Sequence, residues 1–167
     1  MRFNKKVLSL DQSLSCSGFT IYTENSLESF GAIRRPKEIT ETVQQLIFMT
    51  NQIVKLLDDN KVELVVLEGL SLGINSGSTR GLAALYYNIL SECYKRNIDY
   101  IVVPPTKVKK TAGSGALGKQ GMIDALPKEF LELVLSAGYK KSTGLADIAD
   151  AYWIYRTFRL DFEPQEI

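Results

Sequence analysis

The sequence predicts an α/β protein with a five-stranded mixed sheet flanked by helices, and three observations carry that expectation. Three β-rich runs near the N-terminus are separated by gaps too short for a crossover. Two later apolar runs, VELVVL and DYIVV, have the unbroken hydrophobicity of strands covered on both faces. Helical stretches separate and follow those two runs, as parallel connections require.

The elements follow in order. Lys6–Leu10 reads as a first strand closed by Asp11, Gly18–Thr23 (GFTIYT) as a second and Glu28–Arg34 (ESFGAIR) as a third, an antiparallel meander. Glu38–Asp59 reads as a helix with an apolar stripe at Ile39, Val43, Leu46, Ile47, Val54 and Leu57. Val62–Leu67 is a buried strand ending at Glu68. Ser71–Arg80, rich in Gly, Ser and Asn, reads as a loop before a helix over Gly81–Arg96. Asp99–Val103 is a further buried strand, stopped by Pro104-Pro105. A lysine-bearing segment follows, loosened by Gly113, Gly115 and Gly118. Helices near Lys128–Ser136 and Leu145–Phe158 close the order β-β-β-α-β-α-β-α-α. The 167 residues are read as a single domain over 1–167, with an acidic tail at about 161–167.

Composition narrows the chemistry. Apolar residues at 45% and charged residues at 23% suit a folded, water-soluble domain. There is no histidine, which excludes Ser-His-Asp hydrolysis, Cys-His proteolysis and HExxH zinc chemistry. Two cysteines, Cys16 and Cys93, are too few for a cysteine-only zinc site and too far apart for a CxxC pair, and both are read as reduced thiols. Carboxylates, lysines, hydroxyls and any metal they hold remain. No apolar run is long enough to span a membrane, and the N-terminus turns polar too soon for a signal peptide, so a cytoplasmic location is expected.

The net charge is +1, which does not describe a uniformly basic nucleic-acid coat. Charge is nonetheless concentrated. From Pro104 to Met122 there are Lys107, Lys109, Lys110 and Lys119 and no acid, while the tail after Leu160 carries Asp161, Glu163 and Glu166 and no base. The lysines, set among glycines that let a backbone come close, form a local anion site. Phosphate contacts of this kind give salt-dependent, sequence-independent affinity.

The acids are placed to use that site. Asp11 and Glu68 each end a predicted strand, where open α/β sheets hold their ligands. Asp147 and Asp150 lie at i and i+3 on the last helix and share a face. Each has a simpler reading alone: Asp11 opening a turn, Glu68 solvated at a strand end, Asp147 capping its helix. Converging, they would repel, and Mg²⁺ bound by oxygen ligands relieves that repulsion. Two such ions bridged by carboxylates hydrolyse phosphodiesters without histidine.

These residues carry a resemblance. VLSLDQSLSCSGFTIY, LVVLEGLS, IVVPPTKVKKTAGSGALGKQGM and LADIADAYWI resemble the corresponding stretches of the RuvC-type Holliday junction resolvases, members of the ribonuclease H-like superfamily. The likeness runs from about Lys6 to Phe158, and the small size and divergent middle resemble the bacteriophage-borne branch. It implies a ribonuclease H-like fold and a structure-selective endonuclease that cuts four-way and related branched DNA in pairs, leaving 5′-phosphate and 3′-hydroxyl ends. It implies Mg²⁺ or Mn²⁺, two per site, held by Asp11, Glu68, Asp147 and Asp150. By motif position Lys107 and Lys119 contact DNA near the scissile phosphate, with Lys109 and Lys110 beside them. It implies a homodimer.

One departure stands out. The aromatic residue that follows the strand-four Glu in bacterial members is absent from Gly69-Leu70-Ser71-Leu72-Gly73. Base stacking on an aromatic contributes about 1–3 kcal/mol per base, so looser substrate choice, extending to flaps and forks, is expected. Ser78 and Arg80, in the glycine-rich stretch after Glu68, are further DNA-contact candidates. Leu82, Leu85, Tyr86, Ile89 and Cys93 form a helical stripe read mainly as core, with Tyr86 and Tyr87 as candidates for the dimer face. Other readings are an actin-like ATPase, which shares Asp-x₆-Gly but needs two domains, a catalytically silent DNA-binding relative, and a ribonuclease H acting on RNA–DNA hybrids.

Overall fold

The structure, a computed structural model, describes residues 4–71 and 77–162. Five strands lie in the order β3-β2-β1-β4-β5: β1 Lys6–Asp11, β2 Cys16–Thr23, β3 Ser26–Arg34, β4 Leu64–Glu68 and β5 Asp99–Val103. β1 pairs antiparallel with β2, β2 antiparallel with β3, and β1, β4 and β5 run parallel, as expected from the sequence. Glu24 and Asn25 both take positive φ between Thr23 and Ser26, the two-residue turn whose twist matches a β-hairpin.

Helices α1 (Thr42–Asp59) and α2 (Gly77–Lys95) cover one face of the sheet. The other face carries α3 (Pro105–Ala112), α4 (Lys119–Asp124), α5 (Lys128–Ser136) and α6 (Leu145–Phe162). The two cores follow the period of two. Leu8 and Leu10, with Val65 and Leu67, face α1 and α2, while Val7, Leu64 and Val66 face α6. Continued to the strand ends, the same alternation turns Asp11 and Glu68 toward α6.

Several boundaries differ from expectation. α1 starts at Thr42 rather than Glu38, because Ile39 is drawn into a turn by its bond to the Pro36 carbonyl and the Glu41 carboxylate caps the amides of Val43 and Gln44, both at 3.0 Å. Its buried stripe is Met49, Ile53 and Leu57, leaving Val43 and Ile47 exposed. α2 starts at Gly77, so Arg80 lies in its first turn and not in a loop. The lysine segment holds two helices. Pro105 sits at the first position of α3, where a missing N–H costs nothing, and Gly113 and Gly118 flank rather than break the helices. β5 is an edge strand whose Tyr100 and Val102 stay exposed, not a strand buried on both faces. α6 continues to Phe162, so Asp161 is helical.

α6 is seated tightly. A Cβ built on Gly18 would lie 2.1 Å from the carbonyl carbon of Asp147, so only glycine lets the helix backbone approach β2 this closely. Gly144, at φ +120°, turns the chain into α6 against the Ala32 side chain. Buried Ser9 donates to the Ala151 carbonyl at 2.8 Å and meets the Thr20 hydroxyl, and Tyr155 stacks on Tyr22 with centroids 3.6 Å apart. Trp153, in the core as expected, donates to the Met122 carbonyl at 2.9 Å and ties α4 to α6.

Gly18→Ala sets a methyl group against helix backbone, which cannot rotate away. The expected result is a loss of more than about 3 kcal/mol of stability, read as a lowered denaturation midpoint in urea at unchanged slope.

Candidate active site

All four predicted carboxylates come to one end of the sheet. Asp11 and Glu68 end β1 and β4, which are neighbours in parallel register, with Leu10 opposite Leu67. Asp147 lies in the first turn of α6 and Asp150 one turn on. Burial, then Asp150, Asp147 and Glu68 in that order, hold the Asp11 carboxyl well above the ordinary carboxylate range, with Lys119 opposing. Burial, then Glu68 and Asp147, push Asp150 up to about 7, with Lys119 and Lys109 opposing. Glu68 is raised by burial and lowered by Lys109.

The predicted cations divide. Lys119, the first residue of α4, and Lys109, on α3, act on the acids. Lys107 instead pairs with Asp161 near the end of α6. Lys110 is exposed and runs beside Gly115. Arg80 is exposed on α2, while the Ser78 side chain and residues 72–76, including Leu72 and Gly73, lie outside the described residues.

Two residues that sequence reasoning passed over belong to this site. Gln12 donates from Nε2 to the Glu68 carbonyl at 2.9 Å and joins the ends of β1 and β4, while its Oε1 is buried with no hydrogen-bond partner among the described residues. Cys16 donates its thiol to Asp147, and burial followed by that carboxylate pushes it up to about 12. Gln12 had a visible signal, a polar residue directly after the strand-ending acid. Cys16 had none, because its contact with Asp147 exists only after α6 packs on β2.

The sequence matches no protein-family model and no curated protein. Solved structures do match. Thermus thermophilus RuvC, solved in complex with a Holliday junction substrate, superimposes with a TM-score of 0.70 over 95% of this chain and 94% of that one, at 14% identity. The chain has the ribonuclease H-like fold of RuvC. The yeast mitochondrial Holliday junction resolvase Ydc2 matches at 0.62 over 96% of this chain and 82% of its own, with 13% identity. Fowlpox virus resolvase, solved with Holliday junction DNA, matches at 0.62 over 95% and 99%, with 18% identity.

Within this RuvC fold the donor chemistry suits a hard divalent cation, since the facing groups are carboxylate oxygens that repel one another. Among the described residues no three acidic or thiol side chains stand close enough together to enclose one ion.

The raised Asp150 pKa fixes a sign. An acid protonated more readily when folded stabilises the fold fully below the unfolded value near pH 4, and that contribution is lost as pH rises through about 7. Without divalent metal, Asp150→Asn is expected to flatten the decline in stability between pH 4 and 7. At pH 8 it is expected to raise the melting temperature by roughly 3 °C or more, as thermal unfolding in EDTA would read.

Proposed function

We propose that this protein is a Mg²⁺- or Mn²⁺-dependent, structure-selective DNA endonuclease that resolves Holliday junctions and related branched DNA by paired phosphodiester hydrolysis, leaving 5′-phosphate and 3′-hydroxyl ends. The observation that carries this reading is the meeting of four acids with Lys119 and Lys109 at one end of a sheet with the RuvC fold. Thermus RuvC and fowlpox resolvase, with the same fold, were solved with Holliday junctions.

Asp11, Glu68 and Asp150 would hold the metal, with Asp147 beside them. Bound there, two ions would supply activation of the attacking water and compensation of charge on the leaving oxygen. The chain's own contributions are separate. Gln12 fixes the backbone at Glu68 and so the angle at which that carboxylate enters the site. Lys119 and Lys109, whose charges act on the acids, would offset charge on the attacked phosphate. Lys110 and Arg80, both exposed, would contact neighbouring phosphates. Ser78 is kept among the DNA contacts on sequence grounds alone, and Lys107 contacts DNA by releasing Asp161.

Paired cuts need two sites, and we propose a homodimer formed through α2. Tyr87 and Tyr94, seven residues apart on one face of that helix, are 64% and 82% exposed, while Leu85, Ile89 and Cys93 on the opposite side are buried. Tyr86, half-buried against the core and edge-on to Tyr87, supports that face.

Incubated with a labelled four-way junction and Mg²⁺, the protein is expected to give symmetric nicks near the crossover. Asp11→Asn, Glu68→Gln and Asp150→Asn should each lower the rate at least 100-fold with folding intact, and EDTA should abolish it. Flaps and forks should be cut within about tenfold of the junction. Tight binding without cutting in either metal would mark a silent binding protein, and preference for an RNA–DNA hybrid would mark a ribonuclease H.

A further inference from the structure

A second basic cluster lies on the other side of the acids from α3 and α4. It lines a cleft of about 270 Å³ whose walls include Arg34, Arg35, Lys37 and Lys141, with Cys16 and Asp147 at its inner side. Asp147 is the one acid among the lining residues. Arg34, Lys37 and Lys141 are exposed, and among the described residues none of them forms an ion pair. Arg35 is half-buried and held, its Nε donating to the Leu14 carbonyl at 3.2 Å and an Nη to the Ile39 carbonyl. Its remaining N–H groups are free of those bonds and fixed in direction. Ser15 and Ser142 add hydroxyls, and through Ser15 and Arg35 the cleft continues into a second hollow of about 400 Å³.

Strand order explains the placement. Across this end of the sheet stand Arg34 at the end of β3, Cys16 at the start of β2 opposite it, Asp11 on β1, Glu68 on β4, and Val103 on β5, which leads into the lysine-bearing α3. Cations therefore flank the acids on both edges. Four inter-strand gaps at about 4.8 Å separate β3 from β5 by about 19 Å, the rise of five to six nucleotides at about 3.4 Å each along one strand.

We propose that the cleft of Arg34, Arg35, Lys37 and Lys141 is a second phosphate-binding subsite, which grips the backbone of the DNA strand on the far side of the scissile bond from Lys109 and Lys119. The subsite deepens the nuclease reading and rests on it. A strand held on one edge alone could pivot about the lysine helices. Held on both, it is stretched across the carboxylates, so the phosphate over Asp11 and Asp150 is positioned by contacts that read no sequence. Two neutral donors and four cations around a single acid suit a phosphodiester better than a carboxylate-bearing peptide, whose spacing the sheet does not impose.

The test uses the full chain carrying Asp11→Asn, with Mg²⁺, so that binding is read without cutting. The variant adds Arg34→Ala, Lys37→Ala and Lys141→Ala, all exposed, and leaves Arg35, which supports the fold. A charge-matched control carries Lys55→Ala, Lys95→Ala and Lys128→Ala instead. Affinity for a labelled four-way junction is measured across a salt series. The expected result is at least a tenfold loss for the cleft variant at 100 mM salt, with the slope of log affinity against log salt smaller by about 2 to 3, and a lesser change in the control. Unchanged affinity and slope, or an equal loss in the control, would overturn the subsite while the nuclease reading stands. A parent chain that binds neither junction, duplex nor single-stranded DNA would overturn the nuclease reading, and the subsite with it.

Discussion

The seating of α6 on β1 and β2 sets the distance at which four carboxylates face one another, and the rest of the site depends on it. Asp11 and Glu68 are fixed by strand pairing, which any sheet of this register supplies. Asp147 and Asp150 join them only because the helix backbone reaches into the space a side chain on Gly18 would fill. Gly144 makes the turn that starts the helix there, and the Ser9 hydroxyl bonds the Ala151 carbonyl where a larger apolar side chain would hold it away. Trp153 extends the same constraint outward, since its bond to Met122 anchors α4 and hence Lys119. A small change in the depth of one helix therefore moves two acids and a lysine together.

That seating is unfavourable in electrostatic terms. Burial raises the pKa of Asp11, Asp150 and Glu68, and neighbouring acids raise those of Asp11 and Asp150 further. Lys119 and Lys109 offset part of this cost, and among the described residues neither enters an ion pair of its own. The hydrophobic cores on both faces must carry the difference, and they are ordered around it. β4 is apolar on both sides until its final residue, β1 interrupts its apolar run only with the hydrogen-bonded Ser9, and the acids occupy the last position of each. Under the proposed nuclease reading, the same arrangement would make the site responsive to cations, because a bound divalent ion would relieve the repulsion.

The parts legible in the sequence are those fixed by local chemistry. Five strands, their parallel or antiparallel sense, and the four acids can be read from β-rich runs, short gaps and strand-ending carboxylates. The lysine segment hides its two helices because Gly113, Gly115 and Gly118 look like a breaker, whereas Pro105 is the informative residue, a helix start as well as a strand stop. The stripe of α1 is ambiguous in the sequence because Val43 and Ile47 fit a 3.6 period equally well. Which phase is buried depends on how the helix lies against β1 and β4. Lys107 shows the same limit, since its pairing with Asp161 joins residues 54 positions apart.

The RRPK run at 34–37 does not show as part of a cluster in the sequence for a different reason. Its four residues straddle the end of a strand and the turn beyond it, and Lys141 stands more than a hundred residues later, so no window of sequence shows the cluster. The topology assembles it. Because β3 is the outer strand of an antiparallel meander, its end returns to the same side of the sheet as the ends of β1, β4 and β5. Basic residues placed after β3 and after β5 must then bracket whatever ends β1 and β4. A meander followed by two parallel strands thus yields, from strand order alone, an acidic centre with a basic margin on each side. That arrangement suits a polyanion lying across the sheet end better than a small ligand sitting in it, since a small ligand would need only one margin.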